Sequence, residues 1–572
     1  MKVVLVAVNS KYIHSNLAVR YLKAYTKDMK YQCNTMEFSI NDREERVVED
    51  ILQEKPDIIG FSCYIWNIEF IKKVATLIKL VDSKIEIIYG GPETSFSPIE
   101  FLENNIGEYL IEGEGEETYR ELIDFKINNK INGNYINCKN IKGLYSKDEG
   151  RVYYGGKRPL MNMNNIVFPY GIDDDLKNKI VYYEGSRGCP FNCKYCLSST
   201  THGVRFLELE RVLNELQFFI DKKVKLVKFV DRTFNCNKVF ANAIWNYLIE
   251  NGGETCFHFE VSADLFSNES VDILREAPNG MFQFEVGVQT TNNEILNNIN
   301  RSIKFSTIKE KVLELNKLNN IKQHLDLIAG LPGEDFNSFR RSFNEVYEIS
   351  PKELQLGFLK LLKGSQMREE SEAWGMIYSP YPPYEILKTK DISYDELIIL
   401  KKIEHMVDKY LNSGKFYNIL KFFSSSKKFE DIFEFYYELS KFFDRKGYFK
   451  RNIAAVDYYY FFVEFNKFIK AGNEELLLDI IRYEYFSHNN TKWVPDFLKM
   501  DVIKSEERRI KQIVIDNNCI ENINKISVFM FNYNIKKFIN DALIEKSPNY
   551  IAFIGNHSKD KIFIPNNELT MR

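Results

Sequence analysis

The sequence predicts an α/β protein in three parts: a doubly wound parallel sheet, a partial (β/α)6 barrel and a mostly helical C-terminal domain. Short apolar runs alternate with helical patterns over residues 1–145, and a second series of this kind occupies residues 179–374. Residues 375–572 instead contain helical stretches dense in Phe, Tyr and Lys. Residues 146–178 are interpreted as a linker between the two sheets.

Length and composition set the outer bounds. With 572 residues the chain is too long for one ordinary hydrophobic core. Its 77 basic and 80 acidic residues give a formal charge of −3, so we expect neither nucleic acid nor membrane as a partner. The start, "MKVVLVAVNSKY", has too short an apolar run for a secretory signal. Nine cysteines without such a signal predict a reducing, cytoplasmic location.

In residues 1–145 the apolar runs read as buried parallel strands. "KVVLVAV", "DIIGFS" and "EIIYGG" are continuous, as expected for strands covered on both faces. Between them, "NLAVRYLKAYTK" and "IEFIKKVATLIKLVD" have helical spacing. The alternation predicts βαβ units and a sheet of about five parallel strands, with a ligand beyond the strands' carboxyl ends.

Three loops after these strands support a ligand site at that edge. They contain Ser62, then Gly90, Gly91 and Pro92, then Gly113 and Gly115 within "EGEGEE". Glycines at strand ends let a ligand approach the backbone closely. No GxGxxG follows the first strand, so a nicotinamide or flavin dinucleotide is disfavoured.

The stretch "SRGCPFNCKYC" places Cys189, Cys193 and Cys196 on one short loop, and the next cysteine is the distant Cys236. Three thiolates from a compact loop can hold three irons of a cubane cluster and leave the fourth iron open. A structural zinc site normally has four protein ligands, and no second CxxC or paired histidine motif accompanies this loop. A cluster that only carried electrons would also call for a fourth cysteine.

The loop resembles the CxxxCxΦC motif of the radical S-adenosylmethionine superfamily, with Tyr195 in the aromatic position. The resemblance implies that Cys189, Cys193 and Cys196 ligate a 4Fe–4S cluster. It also implies that S-adenosylmethionine chelates the open iron and that Tyr195 packs beside its adenine.

Apolar segments continue after the loop and, with the strand before it, predict six barrel strands. Polar residues at the strand ends are Asp231, Glu260, Ser262, Gln289 and Asp326. Each alone reads as a cap or turn former, but together they resemble the superfamily pattern, including D-x-i-x-G-l-P-G-E from Asp326. The resemblance implies Asp231 near the methionine amine, and Glu260 and Gln289 near the ribose or carboxylate. Ser262 stands where related enzymes often carry arginine.

The first domain resembles the flavodoxin-like, cobalamin-binding fold, whose motifs are DxHxxG, SxL and GG. The corresponding stretches here are "YIHSNL", "SCY" and Gly90–Gly91. Tyr12 replaces the aspartate and Leu17 the glycine, so we expect cobalamin to be held by backbone and shape, with its lower face unligated by protein. The residues assigned to cobalamin are His14, Ser62, Gly90, Gly91, Pro92, Gly113 and Gly115.

The last third resembles a domain of unknown function appended to some cobalamin-binding radical enzymes. Its aromatic residues interleave with lysine, which could stack on single-stranded RNA. The stripes fall at helical spacing and the lysines alternate with acids, which favours a helical bundle core with a solvated face. The tail predicts a few strands around a short helix.

This domain order is that of the cobalamin-dependent radical S-adenosylmethionine enzymes. The family resemblance implies three cofactors, namely a 4Fe–4S cluster, S-adenosylmethionine and cobalamin, and methyl transfer to an unactivated carbon of an unknown small-molecule, peptide or other substrate. It also implies an electron donor such as flavodoxin or ferredoxin, and an anaerobic or microaerobic cell. Two alternatives stay open: a non-methylating radical cyclisation or rearrangement, and a cobalamin-binding sensor or electron-transfer protein.

Overall fold

A computed structural model describes residues 1–132, 138–201, 203–489, 493–500, 504–518, 526–555 and 560–565. The chain divides into two compact units. Unit 1 comprises Met1–Phe339 and Gly357–Tyr394, and unit 2 comprises Arg340–Leu356 and Asp395–Arg572. Unit 1 therefore holds the predicted parallel sheet, the cysteine loop and most of the predicted barrel.

The first sheet has seven strands in the order β2-β1-β3-β4-β5-β6-β7. The strands are β1 Lys2–Asn9, β2 Gln32–Ser39, β3 Ile58–Ser62, β4 Glu86–Gly90, β5 Tyr109–Ile111, β6 Leu144–Asp148 and β7 Arg151–Tyr154. β1 to β5 are parallel, which confirms the predicted doubly wound sheet. β6 and β7 extend it as an antiparallel hairpin. Glu149 and Gly150, both with positive φ, form the hairpin turn.

The helices of this domain cover both faces of the sheet. They are α1 Leu17–Tyr25, α2 Glu44–Gln53, α3 Ile68–Val81, α4 Pro92–Ser95, α5 Pro98–Asn104 and α6 Glu116–Asn132. Alternate residues of β1 enter two separate cores: Val4 and Val6 pack with α2 and α3, whereas Val3 and Leu5 pack with α1 and α6. A strand buried on both faces needs the continuous apolar sequence that "KVVLVAV" supplies.

The second sheet has six strands in the order β15-β14-β13-β12-β11-β8, as the sequence predicted. They are β8 Ile180–Tyr183, β11 Leu226–Phe229, β12 Cys256–Val261, β13 Phe282–Gln289, β14 Lys322–Ala329 and β15 Glu353–Phe358. The antiparallel hairpin of β9 Ser186–Cys189 and β10 Gly203–Phe206 follows β8 and carries the cysteine loop.

Helices alternate with these strands, so the connections are those of a (β/α) barrel. They are α7 Leu209–Asp221, α8 Lys238–Asn251, α9 Asn268–Arg275, α10 Asn293–Asn298, α11 Phe305–Asn316 and α12 Phe336–Glu348. The short α13 Gln366–Glu369 and the paired strands β16 Ile377–Tyr378 and β17 Ile386–Lys388 come next.

Unit 2 is mostly helical, as predicted. Its helices are α14 Tyr394–Val407, α15 Tyr417–Ser425, α16 Ile432–Arg445, α17 Asp457–Ile469, α18 Glu474–His488, α19 Lys504–Asn518 and α20 Ile535–Asp541. β18 Ile526–Phe531, β19 Asn549–Ile554 and β20 Asp560–Pro565 form an antiparallel sheet in that order. The aromatic stripes of α16 and α17 supply core residues such as Phe435, Phe443 and Phe462, which supports the bundle interpretation. Within the described ranges, no helix combines the length and apolar character needed to cross a bilayer.

Candidate functional site

The cysteine loop begins at the carboxyl end of the first barrel strand. Cys189 is the last residue of β9 and pairs with Gly203 of β10, so the hairpin fixes its backbone. Cys193 and Cys196 are joined by a turn in which the amide of Cys196 donates to the carbonyl of Cys193 (3.1 Å). The three thiols are thus presented by one short, ordered loop.

The thiols also interact electrostatically. Burial raises the pKa of the Cys193 thiol, the Arg301 guanidinium lowers it, and the nearby Cys196 and Cys189 raise it again. Across the described part of the chain, no three His, Cys, Asp or Glu side chains converge on one point as a mononuclear metal requires. A cubane places each of three thiolates on a different iron, so three neighbouring thiols on one loop fit a 4Fe–4S cluster.

Two residues after β11 lie beside Cys189. The Thr233 hydroxyl is 3.5 Å from the Cys189 sulfur. Burial, Asp231 and Cys189, in that order, raise the pKa of the Cys236 thiol to about 11. The fold therefore brings Cys236, distant in sequence, close enough to Cys189 for that residue to contribute to the raised pKa of Cys236.

The barrel strands present charged side chains to the barrel interior. On β13 and β14 buried residues alternate with partly exposed ones. The buried set faces the helices, since Phe284 of β13 packs on Trp245 of α8. The inward positions are Tyr182, Lys228, His258, Glu260, Glu285, Gly287, His324 and Asp326. His258 is buried and the other side chains stay partly accessible, so the barrel interior is a polar lumen.

Among the three inward carboxylates, Glu285 has the closest basic partners. His258 Nε2 (3.1 Å) and Lys228 Nζ (3.3 Å) neighbour it, and the histidine hydrogen bond leads in lowering its pKa to about 2. Burial raises the pKa of Glu260, whose nearest cation, Arg232, is 4.0 Å away. Burial also raises the pKa of Asp326 well above its usual range, and its Oδ1 has no hydrogen-bond partner among the described residues.

Arg301 brings a cation to the same region. Its Nη2 donates to the carbonyl of Gly287 (2.6 Å) and its Nη1 is 3.5 Å from the hydroxyl of Tyr195. Its Nε is buried and, within the described residues, makes no hydrogen bond. An unpaired buried donor and the unpaired Asp326 oxygen together fit a ligand that carries both a carboxylate and hydroxyl or amine groups.

Gln289, predicted near the ribose, lies at a β-bulge of β13 with φ +71°. Its amide nitrogen would be 2.2 Å from a Cβ placed on Gly287, so the side chain folds back over that glycine. The bulge thus turns Gln289 toward Arg301, whose Nη2 would be 3.4 Å from the same Cβ.

Two other predicted residues are engaged within the protein. Asp231 is 1% exposed and accepts from the Gly185 amide (2.9 Å) and the Ser186 hydroxyl (2.5 Å). It therefore fixes the turn from β8 into the cysteine hairpin. The Ser262 hydroxyl donates to Asp264 (2.6 Å). The backbone amide of Ser262 donates to Asn235 Oδ1, and Asn235 Nδ2 donates to the backbone carbonyl of Ser262.

The loops predicted to bind cobalamin gather at the carboxyl edge of the first sheet, which we call the first-sheet edge. Ser62 is buried and accepts from the Asn16 amide (3.1 Å). Gly90 ends β4, and Gly91 has φ +129°. A Cβ on Gly91 would be 2.3 Å from the carbonyl oxygen of Cys63, so packing alone requires glycine there.

The segment after Gly91 is held by residues that follow the last barrel strand along the chain. Pro92 opens α4, and the next residue, Glu93, is buried. Glu93 pairs with Lys363 (3.0 Å) and accepts a hydrogen bond from the Tyr384 hydroxyl. The Gly90–Pro92 turn is therefore fixed before any ligand binds.

Space and apolar surface remain at the same edge. A Cβ on Gly113 would meet nothing within 4 Å, whereas one on Gly115 would meet Ile111 and Leu22 at 3.5 Å. Trp66, 45% exposed, stacks on Tyr64 with ring centroids 4.4 Å apart. Open space at Gly113 and the exposed ring of Trp66 at the same edge fit a large, flat, largely apolar macrocycle.

The His14 loop contacts the barrel directly. His14 Nδ1 is 2.7 Å from the Tyr182 hydroxyl, and the Ile180 amide donates to the Ile13 carbonyl (2.8 Å). Lys179 Nζ donates to the Tyr12 carbonyl (2.6 Å). The stretch that resembles a cobalamin motif therefore pairs with β8, the edge strand of the barrel.

Sequence reasoning missed four of these residues: Arg301, Thr233, Trp66 and Tyr182. Arg301 had no detectable signal, because a lone arginine after a helix is ordinarily a surface residue. Trp66 had a signal, since a tryptophan in a loop after a buried strand is an unusual position for so large an apolar side chain.

Three protein families match the chain in sequence. The B12 binding domain matches residues 3–123, the radical SAM superfamily matches residues 183–346, and DUF4080, a family of unknown function, matches residues 372–562.

Two curated proteins are similar to parts of the chain. An uncharacterized methyltransferase of Pyrococcus horikoshii is 29% identical over 259 residues, which are 43% of this chain and 55% of that one. The cobalamin-dependent radical SAM methyltransferase TokK of Streptomyces tokunonensis is 25% identical over 352 residues, 58% of this chain and 51% of that one. The chain thus spans about half the length of these curated relatives (55% and 51%).

The fold has a solved counterpart. The cobalamin-dependent S-adenosylmethionine radical enzyme OxsB with aqua-cobalamin bound superposes with a TM-score of 0.58 at 16% identity, covering 84% of this chain and 78% of that one. The three sequence matches and this shared fold confirm the family predicted from the cysteine loop and the first-sheet motifs. The chain combines a B12 binding domain, a radical S-adenosylmethionine superfamily domain and a DUF4080 domain, in that order.

Proposed function

We propose that this protein is a cobalamin-dependent radical S-adenosylmethionine enzyme that transfers a methyl group to an unactivated carbon of a small-molecule substrate. The observation that carries the proposal is the arrangement at the barrel mouth. Three neighbouring thiols on one loop lie beside a lumen whose Asp326 oxygen and Arg301 Nε lack partners among the described residues. A protein that only stored electrons would have no use for those two unpaired groups.

When bound, a 4Fe–4S cluster would supply the electron that cleaves S-adenosylmethionine to methionine and a 5′-deoxyadenosyl radical, and methylcobalamin would supply the methyl group. Cys189, Cys193 and Cys196 would hold the cluster. Arg301 would pair with the methionine carboxylate of S-adenosylmethionine. Arg301 would then take the role of the arginine that related enzymes often carry at the position of Ser262.

The remaining S-adenosylmethionine contacts fall to residues around the lumen. Asp326 and Gln289 would accept from the ribose hydroxyls or the amine, and Glu260 lies on the neighbouring strand. Tyr195 would pack beside the adenine, since its hydroxyl reaches Arg301 (3.5 Å). Because the Asp231 carboxylate is already bonded to Gly185 and Ser186, its part is to hold the loop.

The first-sheet edge would hold cobalamin. Ser62, Gly90, Gly91, Pro92, Gly113 and Gly115 would lie along the cofactor, and the Tyr64–Trp66 pair offers an apolar surface. His14 is bonded to Tyr182, which orients its imidazole. A small electron-transfer protein such as flavodoxin or ferredoxin would reduce the cluster.

The test is an anaerobic reconstitution of the full chain with iron, sulfide and cobalamin. 5′-Deoxyadenosine and S-adenosylhomocysteine would be counted under strong reductant, for wild type and for Cys193→Ala, with Cys33→Ala as a matched control on β2. We expect about one cobalt per chain and 5′-deoxyadenosine lost only in Cys193→Ala.

Each outcome separates the candidate functions. Comparable amounts of S-adenosylhomocysteine and 5′-deoxyadenosine in the presence of substrate support methyl transfer, because a second S-adenosylmethionine must remethylate the cobalt. 5′-Deoxyadenosine alone with bound cobalt supports a non-methylating radical reaction. A cluster without cleavage supports a sensor or electron-transfer protein, and cleavage without cobalt overturns the cobalamin assignment.

A further inference from the structure

A buried charge network joins the first-sheet edge to the cysteine hairpin. Arg187 Nη2 is 2.6 Å from Glu116 Oε1, its Nε is 3.0 Å from Glu184 Oε2, and its Nη1 is 3.7 Å from Glu114 Oε1. Arg205 binds Glu114 through both Nη1 (3.2 Å to Oε2) and Nη2. Two guanidiniums and three carboxylates therefore form one connected cluster.

The members of this charge network come from different parts of unit 1. Glu114 lies in the loop between β5 and α6, and Glu116, on the other side of Gly115, is the first residue of α6. Arg187 and Arg205 face each other across the β9–β10 hairpin. Glu184 connects β8 to that hairpin.

The network is largely shielded from water. The Arg187 side chain is 14% exposed and the Glu116 side chain 6% exposed. The Arg187 guanidinium also lies 5.5 Å from the Tyr21 ring centroid. Removing Glu114 would leave the Arg205 guanidinium without its carboxylate partner, and removing Glu116 would take from Arg187 the closest of its three carboxylates. Breaking a largely buried charge pair costs more than losing a surface ion pair.

The charge network lies between the cysteine hairpin and the first-sheet edge, the two regions proposed to hold cofactors. Arg187 precedes Cys189 by two residues, and Gly203, which pairs with Cys189, precedes Arg205 by two residues. Glu114 lies between Gly113 and Gly115, and it also accepts from the Met161 amide (3.0 Å). Any shift of the loop relative to the hairpin must break several charged hydrogen bonds at once.

We infer that Glu114 and Glu116 are positioning residues, which fix the spacing between the cluster loop and the first-sheet edge. The carboxylates themselves contact protein rather than cofactor. The inference rests on the proposed function for the identity of the two cofactors. The mechanical coupling of loop to hairpin does not depend on that identity.

The first measurement is amide hydrogen exchange on the full chain without cofactors, for wild type, Glu116→Gln and Glu114→Gln. Each glutamine keeps the shape and removes the charge. We expect residues 186–189 and 203–206 to exchange at least about tenfold faster in both variants, although the substitution lies in another domain. The control is Glu121→Gln, a half-exposed partner of Arg158 (2.8 Å) on α6, which should leave the hairpin unchanged.

The second measurement is the distance distribution between the reduced cluster and cob(II)alamin, by pulsed electron paramagnetic resonance on the reconstituted protein. We expect a broader distribution in Glu116→Gln at unchanged iron and cobalt content. Hairpin exchange equal to wild type in both variants would overturn the inference. Wild-type protein that binds no cobalt would overturn the proposed function. The hydrogen-exchange measurement would still decide whether Glu114 and Glu116 hold the cysteine hairpin in place.

If Glu116→Gln does not fold, Arg205→Lys provides the second test. It keeps the positive charge but loses the two-nitrogen contact with Glu114. Intermediate hairpin exchange in Arg205→Lys supports a positioning role, and wild-type exchange contradicts it.

Discussion

The first sheet and the barrel sheet use their faces differently. In the first sheet every residue of β3 is buried, and so are seven of the eight residues of β1. In the barrel, β13 and β14 alternate buried and partly exposed residues, and the exposed positions include Glu285, Asp326 and His324. The first sheet therefore places its chemistry in the loops beyond its strands, whereas the barrel also places chemistry on the strands.

The two sheets differ because only the second curves around and encloses one of its faces. A flat sheet with helices on both faces leaves no accessible strand surface, so charge on its strands would be costly. A sheet curved into a partial barrel encloses one face, and that face can stay wet or bind a ligand. A continuous apolar run therefore indicates a strand that is covered on both faces. An apolar run with polar or charged residues at alternate positions indicates a strand with one face toward the barrel lumen.

The largest expected effect concerns Asp231, beneath the barrel mouth. Burial raises its pKa to about 7, so the folded protein retains a proton that the unfolded chain releases near pH 4. Wild type should lose up to about 4 kcal/mol of stability relative to Asp231→Asn as the pH rises from about 4 to about 7. Melting temperatures of both proteins at pH 5 and pH 8 measure the difference.

The matched control lies in the first domain. Arg120 lowers the pKa of the exposed Asp28 to about 2, so its contribution is present above pH 4 and is lost as the pH falls towards 2. Asp28→Asn should therefore track wild type between pH 5 and pH 8. Parallel pH profiles for wild type and Asp231→Asn would contradict the burial argument.

The second effect tests the first-sheet edge. Gly91→Ala combines a positive φ with a Cβ 2.3 Å from the Cys63 carbonyl oxygen, so we expect a loss of about 3 kcal/mol. Gly113→Ala also has a positive φ but meets open space, and should cost only about 1 kcal/mol. Chemical denaturation compares the two.

Cobalt binding by the same variants sharpens the comparison. If the cofactor occupies the space at Gly113, Gly113→Ala should lose cobalt while remaining folded. Unchanged cobalt content in a folded Gly113→Ala would place the cofactor elsewhere along the edge.

The third effect tests the lumen. Arg301→Gln removes a buried guanidinium whose Nε has no partner among the described residues, and we expect S-adenosylmethionine to bind about 10–100-fold more weakly. Arg301→Lys should recover part of that affinity. Calorimetric titration measures it, with Arg120→Gln of the first domain as the surface control, and equal affinity in all variants would refute the role.

The smallest effect tests the contact between the two sheets. Tyr182→Phe removes the hydroxyl that bonds His14 Nδ1 at 2.7 Å, and we expect a loss of about 1 kcal/mol. Tyr12→Phe is the control, since Tyr12 is 75% exposed and its ring contact with Lys179 does not need the hydroxyl. Thermal unfolding that is identical for the two variants would show that the His14–Tyr182 bond is not maintained in solution.

Much of the fold followed from local pattern. The apolar runs of β1, β3 and β4 predicted the first parallel sheet, and the recurring runs from β8 to β15 predicted six barrel strands. The β6–β7 hairpin was missed although its turn "DEG" is a local signal, because that stretch had been interpreted as the start of the linker. The domain boundaries and the individual site residues stay predictions.

By itself, the sequence determined the cysteine loop, the order of the domains and the parallel sheets. These depend on spacing along the chain, where chemistry and periodicity are directly visible. Only the tertiary structure decided which polar residues stay free: Asp231 and Ser262 have partners within the protein, whereas Asp326 and Arg301 each keep an unpaired atom within the described residues. Partners such as Glu116 with Arg187, or His14 with Tyr182, are far apart in sequence, and a hydrogen bond requires proximity in space.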